Sequence, residues 1–534
     1  MDHLLLLFML LWSSGLQAAG ELSTEPYRLV GGESRCAGTL EVKHEGEWRP
    51  VWGYDSPWTL KEAGVFCKQL DCGSAVSVRE RKESSERPVW WISSLCLQSG
   101  SALRECAASV SSPSIVTLTC SDSVRLLGGT SLCSGRLEVK SNQSDPSWSS
   151  VCEADFDQQD AQVVCRQLGC GAPSVLQGAL YGEGEAPMWT KEFQCGGHES
   201  ALLDCSSASE RNTCSPGTAV SLTCSEPVRL VGGESRCAGD LEVKHLGDWR
   251  PVGGYYSLKT LKTAGVACRE LDCGSAVSVR ERESSERPVW GMRPSCVQSG
   301  PALRECAVSS SSSSTLTLTC SDSVRLLGGT SLCSGRLEVN SNQSNPSWSS
   351  VCEADFDQQD AQVVCRQLGC GAPSVLQGAL YGEGEAPMWT KEFQCGGHES
   401  ALLDCSSASE RNTCSPGTAV SLTCSEPFRL VGGESLCAGD LELKHEGEWR
   451  PVGGYPSLRN LKEAGVLCRH LDCGSAVSVG ERESSVRSVW KIISACVQSG
   501  PALRECAYSA SSIHIVTLTC SGHQGAEAEP TGGH

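Results

Sequence analysis

Aromatic side chains are scarce: Phe, Trp and Tyr together make up 5% of the 534 residues. A chain with so few large rings cannot build big self-sufficient cores. Positive charge is short too, with 44 Lys and Arg against 63 Asp and Glu and a formal net charge of −19. Sequence-independent binding to nucleic acid needs clustered Lys and Arg, so that class is excluded. Long apolar runs are absent. The longest, Leu4–Trp12, is too short to span a bilayer. Small residues follow it up to Ala19 and Gly20, so 1–20 reads as a secretory signal peptide, although its start lacks Lys and Arg. No HExxH, GxSxG or P-loop pattern occurs, which removes the common hydrolase and nucleotide-binding classes.

What the sequence has instead is cysteine, 34 in all. Small domains that cannot bury enough apolar surface are commonly stapled by disulfides, and such bridges persist only in an oxidising compartment. The composition therefore places the protein outside the cell. The cysteine spacings do not suit zinc, which favours close Cys and His pairs.

Internal repetition organises the chain. A start signal recurs as YRLVGGES at Tyr27, VRLLGGTS at Val124, VRLVGGES at Val228, VRLLGGTS at Val324 and FRLVGGES at Phe428. An LTLTC or VSLTC segment closes each repeat on Cys120, Cys224, Cys320, Cys424 and Cys520. Five domains follow, at 27–120, 124–224, 228–320, 324–424 and 428–520, with a polar tail at 521–534. Only three residues join one to the next, so a stiff string of touching domains is expected. The second and fourth domains are identical over Ser121–Cys224 and Ser321–Cys424 except at Lys140/Asn340 and Asp145/Asn345, which points to duplication of a two-domain unit.

Each domain carries one copy of an eleven-residue stretch: Glu62–Cys72, Asp160–Cys170, Thr263–Cys273, Asp360–Cys370 and Glu463–Cys473. In the second copy Ala161, Val164, Cys165 and Leu168 fall at i, i+3, i+4 and i+7, one face of a short helix. Asp157 is its N-cap, Asp160 stands three residues on, and Gly169 stops it. The two cysteines are five apart, roughly 140° around a helix, and cannot bridge each other. Each copy therefore anchors two separate covalent struts. The surrounding segments, such as LEVKHEGEW, alternate as short strands punctuated by Gly and Ser.

The second and fourth domains have eight cysteines; the first, third and fifth have six, which accounts for all 34. The six-cysteine domains lack counterparts of both Cys152 and Cys214; Trp52, Gly253 and Gly453 stand at the first of these positions. Two cysteines absent together three times are best explained as partners, giving Cys152–Cys214 and Cys352–Cys414.

The run VRLxGG…CSGRLEV…W…VC…DAQVVCRQLGCG…GEGEAPMW…CGGHESALLDC…C…VSLTC resembles the scavenger receptor cysteine-rich domain, and the resemblance covers about 500 residues. The eight-cysteine domains are similar to its group B type. The resemblance implies a mainly β (α+β) tandem repeat, each domain a curved antiparallel sheet cradling one α-helix, with a smaller sheet beside it. It also implies the remaining bridges. These are Cys36–Cys72, Cys67–Cys120 and Cys96–Cys106 in the first domain, and Cys133–Cys170, Cys165–Cys224 and Cys195–Cys205 in the second. The third would hold Cys237–Cys273, Cys268–Cys320 and Cys296–Cys306, and the fourth Cys333–Cys370, Cys365–Cys424 and Cys395–Cys405. The fifth would hold Cys437–Cys473, Cys468–Cys520 and Cys496–Cys506.

The same resemblance implies a calcium site in the eight-cysteine domains. Hard cations want several carboxylate oxygens at one place. The candidates are Glu153, Asp155, Asp157, Glu192 and Glu199, with Glu353, Asp355, Asp357, Glu392 and Glu399. Ala154 and Lys191 depart from the family's acidic pattern. The bland alternative is that Asp157 and Asp160 cap the helix and the other acids are solvated. The six-cysteine domains have Gly100 at the Glu199 position and no acidic run.

Two further stretches are candidates. GxLEVxxxxxW, at Gly38–Trp48, Gly239–Trp249 and Gly439–Trp449, resembles a bacteria-binding segment of the family, but its residues also suit a core-facing strand. The mixed-charge run Arg79–Glu86, echoed at Arg280–Glu286, resembles polyanion-binding arginine clusters, but its alternating signs suit a solvated loop. Asn142 and Asn342 lie in glycosylation sequons.

These readings give a secreted, non-enzymatic binding protein of innate immunity. Its partners would be microbial surfaces, polyanions or host glycoproteins, with calcium assisting and avidity supplying strength. The alternative is a docking module for one host protein: a soluble receptor ectodomain or decoy.

Overall fold

A computed structural model describes residues 27–53, 58–98, 103–140, 147–178, 180–208, 214–254, 258–300, 302–340, 348–378, 380–408, 414–454, 461–493, 496 and 503–522. The signal segment, Asn142 and Asn342 lie outside these residues. The chain divides into two compact units, 1–224 and 225–534. The first holds domains one and two; the second holds domains three to five.

Every domain is built on the same helix. It runs Leu60–Gln69, Gln158–Gln167, Leu261–Glu270, Gln358–Gln367 and Leu461–His470. In the second domain the Asp157 side chain accepts from the Gln159 and Asp160 backbone N–H groups, and Asp160 answers by accepting from Asp157 N–H. Ala161, Val164, Cys165 and Leu168 are at most 1% exposed and pack on Leu137, Val139 and Leu222 of the sheet. Burial pushes the Asp160 carboxyl up to about 6. Its oxygens hold the N–H groups of Asp157 and Cys195, so the helix start is tied to the Cys195 loop. In the first domain Thr59 is the N-cap and Glu62 completes the box, accepting from Thr59 N–H at 2.7 Å.

In the second domain the sheet order is Val124–Gly128, Ser134–Lys140, Val220–Cys224, Pro173–Gly178, with Trp148–Ser150 also on Ser134–Lys140. A separate pair, Phe193–Gln194 with Ser206–Ser207, makes the smaller sheet. The fourth domain repeats this. Among the described residues the six-cysteine domains have no such second sheet. Their chain continues instead as one long strand, Ala75–Ile92, Ala276–Met292 or Ala476–Ile492, paired antiparallel along its length with Ala107–Cys120, Ala307–Cys320 or Ala507–Cys520. The register slips twice in the first domain, between Ala75 and Ser77 and between Lys82 and Arg87. The charged run expected as a loop is therefore strand. Arg79, Glu80, Arg81 and Lys82 are all exposed, so solvation does hold.

All 34 cysteines are paired. Eight-cysteine domains hold four bridges: Cys133–Cys170, Cys152–Cys214, Cys165–Cys224 and Cys195–Cys205 in the second, and the same set in the fourth. The other domains hold three each. In each domain the first helix cysteine ties to the closing strand and the second ties to the start of the sheet.

Within the second unit the domains do not form a straight string. The fifth touches both the fourth and the third. Arg504 donates to the Leu368 and Gly369 carbonyls of the fourth domain at 3.0 and 2.6 Å. Arg280 of the third domain donates to Glu446 of the fifth at 3.0 Å.

Candidate binding surfaces

The described acids of the eight-cysteine domains do not converge. Glu199 accepts from Gly196 N–H at 2.7 Å and His198 N–H at 3.0 Å, one bond to each oxygen. The Gly196 N–H holds its carboxyl below the usual range. Asp157 Oδ1 is taken by two helix N–H groups, at 2.8 and 3.0 Å. Glu153, in a single 3-10 turn, stands against Gly178 of the main sheet, and Glu192 sits at the small sheet, its backbone carbonyl accepting from Ala208 N–H. Among the described residues, the groups of three ligand atoms within reach of one ion are Cys195, Glu199, Cys205 and Cys395, Glu399, Cys405. Their sulfurs are in disulfides and cannot serve a hard cation. The side chains of Asp155 and Asp355 fall outside the description. Glu353, Asp357, Glu392 and Glu399 repeat this arrangement. The described carboxylates are therefore not gathered as a calcium site requires; those of Asp157, Asp357, Glu199 and Glu399 cap backbone N–H groups.

The LEV strand behaves differently from its tryptophan. Leu40 and Val42 are fully buried, as a core strand requires. Trp48 is half-buried, with the Arg28 guanidinium 4.1 Å over its ring, and Arg28 is paired with Glu41 at 2.6 Å. The same arginine–tryptophan–glutamate stack recurs in every domain, as Arg125–Trp148–Glu138, Arg229–Trp249–Glu242, Arg325–Trp348–Glu338 and Arg429–Trp449–Glu442. Trp249 and Trp449 are each 37% exposed. Spacing alone could not reveal this, because the arginine comes from the strand before the LEV strand and the tryptophan from the strand after it.

The eight-cysteine domains use the stack as a joint. Trp148 Nε1 donates to Asp71 of the first domain at 2.7 Å, and Lys140 pairs with the same carboxylate. Burial raises the Asp71 carboxyl, but these two donors outweigh it and hold it below its usual value. Trp348 Nε1 donates likewise to Asp272 at 2.5 Å, although Asn340 replaces the lysine. Asp71 and Asp272 stand just past the C-cap leucines of their helices, each at φ 53°.

The long hairpins carry runs of exposed charge. In the third and fifth domains an arginine of the hairpin pairs with an aspartate of the LEV strand, Arg282–Asp240 and Arg482–Asp440. In the first domain Thr39 stands at that position. Arg81 there shares Glu83 with Arg87, at 3.3 and 2.9 Å.

Stapled β domains of this kind, displaying charge from rigid strands, define a class of disulfide-rich recognition modules. The scavenger receptor cysteine-rich domain matches residues 30–123, 127–225, 231–325, 327–425 and 431–527, and the chain belongs to that family. It is a family of binding domains, not of enzymes. The human protein "CD5 antigen-like" is 34% identical over 313 residues, covering 53% of this chain and 87% of the relative. Among solved structures, the third domain of murine neurotrypsin is 32% identical, covers 19% of this chain and 94% of that one, and has a TM-score of 0.18. Domain III of CD5, a group B member, is 24% identical over 18% of this chain and 95% of that one, with a TM-score of 0.16. No helix among the described residues is long and apolar enough to cross a membrane.

Proposed function

We propose that the protein works outside the cell as a scavenger-receptor-like binding protein of innate immunity. It would capture polyanionic microbial surfaces or charged host glycoproteins through repeated weak contacts, whose avidity supplies the strength. The observation that carries this is Thr39. Residues Arg79–Arg87 carry one net positive charge, whereas the third and fifth hairpins, counted with Asp240 and Asp440, each carry one net negative charge. Of the three long hairpins the first domain's is therefore the most cationic, and clustered exposed charge of this kind steers anionic ligands. Calcium is not required for this contact, because the ridge supplies its own cations.

The test is Thr39→Asp in the full chain, which installs the acid that two sibling domains carry at the same position. Binding to immobilised dextran sulfate and to killed bacteria should weaken about tenfold and should fall with added salt, as screened contacts do. EDTA should leave it unchanged. The internal charge pairing of the third and fifth hairpins favours a second reading, docking to one host protein. A single saturable partner, indifferent to salt and to Thr39→Asp, would establish that reading instead.

A further inference from the structure

The fifth domain repeats, uncovered, the two side chains by which the fourth domain grips the third. Leu332 packs on the core of the third domain while Trp348 donates to Asp272. Leu132 and Trp148 do the same on the first domain. The counterparts in the fifth domain are Leu436 and Trp449. At the leucine position the first and third domains hold Arg35 and Arg236, and Arg236 folds back to donate to the Leu271 and Asp272 carbonyls of its own domain. Leu436 has no such satisfied polar alternative and is 93% exposed. Trp449 is 37% exposed, and its indole N–H meets no acceptor among the described residues. The fourth domain does not cover this face, since it meets the fifth through Arg504 and Glu505.

The receiving half of the joint is exposed on the same domain. Val277 of the third domain is half-buried in its joint with the fourth, where a methyl added at Gly369 would meet it at 3.6 Å. Its counterpart Val477 is 58% exposed. The first and third domains have their receiving faces covered by Leu132 and Leu332 and lack the leucine, so the fifth alone displays both halves.

We propose that the fifth domain is a self-association module: Leu436 and Trp449 of one copy dock on the Val477 face of a second copy, repeating the contact between domains three and four. The occupant is a second copy because one uncovered surface matches the other by the same rule that joins domains within the chain. The contact is small and apolar at its centre, and the chain's negative charge opposes it at long range, so added salt should strengthen it.

Sedimentation velocity of the full chain, from about 1 to about 50 µM, tests this, because a contact of this size falls in the micromolar range. The wild type should shift to larger species as concentration rises. Leu436→Arg restores the residue of the first and third domains and should fold normally, with an unchanged melting temperature. It should weaken association at least about tenfold. Val477→Glu should do the same from the other side. Mixing the two variants should restore association, because the intact leucine of one meets the intact face of the other. A wild type that stays monomeric throughout, or a Leu436→Arg variant that associates as the wild type does, overturns the proposal. The first of these results would assign the face to a domain of another protein.

Discussion

Trp148 Nε1 donates to Asp71 Oδ1 across 2.7 Å, and Asp71 presents that carboxylate from a left-handed backbone with φ 53°. A non-glycine residue in that region costs about 1–2 kcal/mol. The eight-cysteine domains avoid the cost with Gly169 and Gly369 at the same place, at φ 70° and 68°. The aspartate is thus locally unfavourable, and the first and third domains use it in the joint; the fifth keeps Asp472 in the same conformation, at φ 56°.

Asp71→Gly should separate the two effects. The first domain should gain about 1 kcal/mol by release of the left-handed strain, read as a higher melting temperature. The joint should lose about 1 kcal/mol, since the carboxylate is half-exposed and its bonds are screened. Hydrogen exchange of the linker amides Ser121 and Asp122, which donate to Ser74 and Cys72 carbonyls, should speed several-fold. Unchanged exchange would mean that the aspartate does not hold the domains together.

The joint between the fourth and fifth domains should tighten on acidification. Two carboxylates, Glu426 and Glu505, face the single buried guanidinium of Arg504. Burial pushes Glu505 up to about 7, with Glu426 adding repulsion. The folded value lies above the unfolded one, so the folded protein binds the extra proton. Stability should therefore be fullest below about pH 4.5, should fall as pH rises toward 7, and should be flat above it, the total being on the order of 1–3 kcal/mol. Glu505→Gln should flatten the profile and stabilise the second unit at pH 8. A denaturant series from pH 5 to 8 on both proteins decides it; parallel profiles would refute the assignment.

Disulfides of equal span should not be equal in worth. Cys152–Cys214 and Cys165–Cys224 close loops of 62 and 59 residues, for which chain entropy alone gives about 4 kcal/mol each. Cys165 and Cys224 are 1% and 3% exposed and fasten the helix to the closing strand. The six-cysteine siblings fold without the other bridge. Replacing Cys152 and Cys214 by serine should leave a secreted, folded domain with a melting transition lowered by about 2–4 kcal/mol. Replacing Cys165 and Cys224 should abolish secretion. Equal losses would favour the purely entropic account.

The helix was legible because three cues agree on it: the apolar spacing of Ala161, Val164, Cys165 and Leu168, the Asp157 cap and the Gly169 stop. The Cys152–Cys214 pair was legible because the chain contains its own controls. The long hairpins were not. Arg79 to Lys82 are exposed at consecutive positions, so neither face gives the alternation by which a strand is recognised. Nor was the role of Trp48, whose partner Arg28 is twenty residues away and meets it only across the sheet. The acids of the candidate calcium site were grouped by the family resemblance, although Glu192 and Glu199 lie far along the sequence from Glu153, Asp155 and Asp157. A helix start and two loops then turn them to different backbone donors. The packing of Arg504 on the carbonyls of Leu368 and Gly369 has no periodic signature at all, because it joins one helix end to a turn of another domain.

The two bridges on each helix also decide how a domain answers a mechanical pull. Force entering the first domain at Tyr27 crosses from Cys36 to Cys72, steps back along the helix to Cys67, and leaves through Cys120. Only the stretches 27–36 and 67–72 can lengthen, so a fully unravelled domain would extend by about 50 Å where an unbridged chain would reach over about 300 Å. Under tension each domain is thus a nearly inextensible link, and beyond its first strand the sheet that carries the charged hairpin stays closed by the bridges.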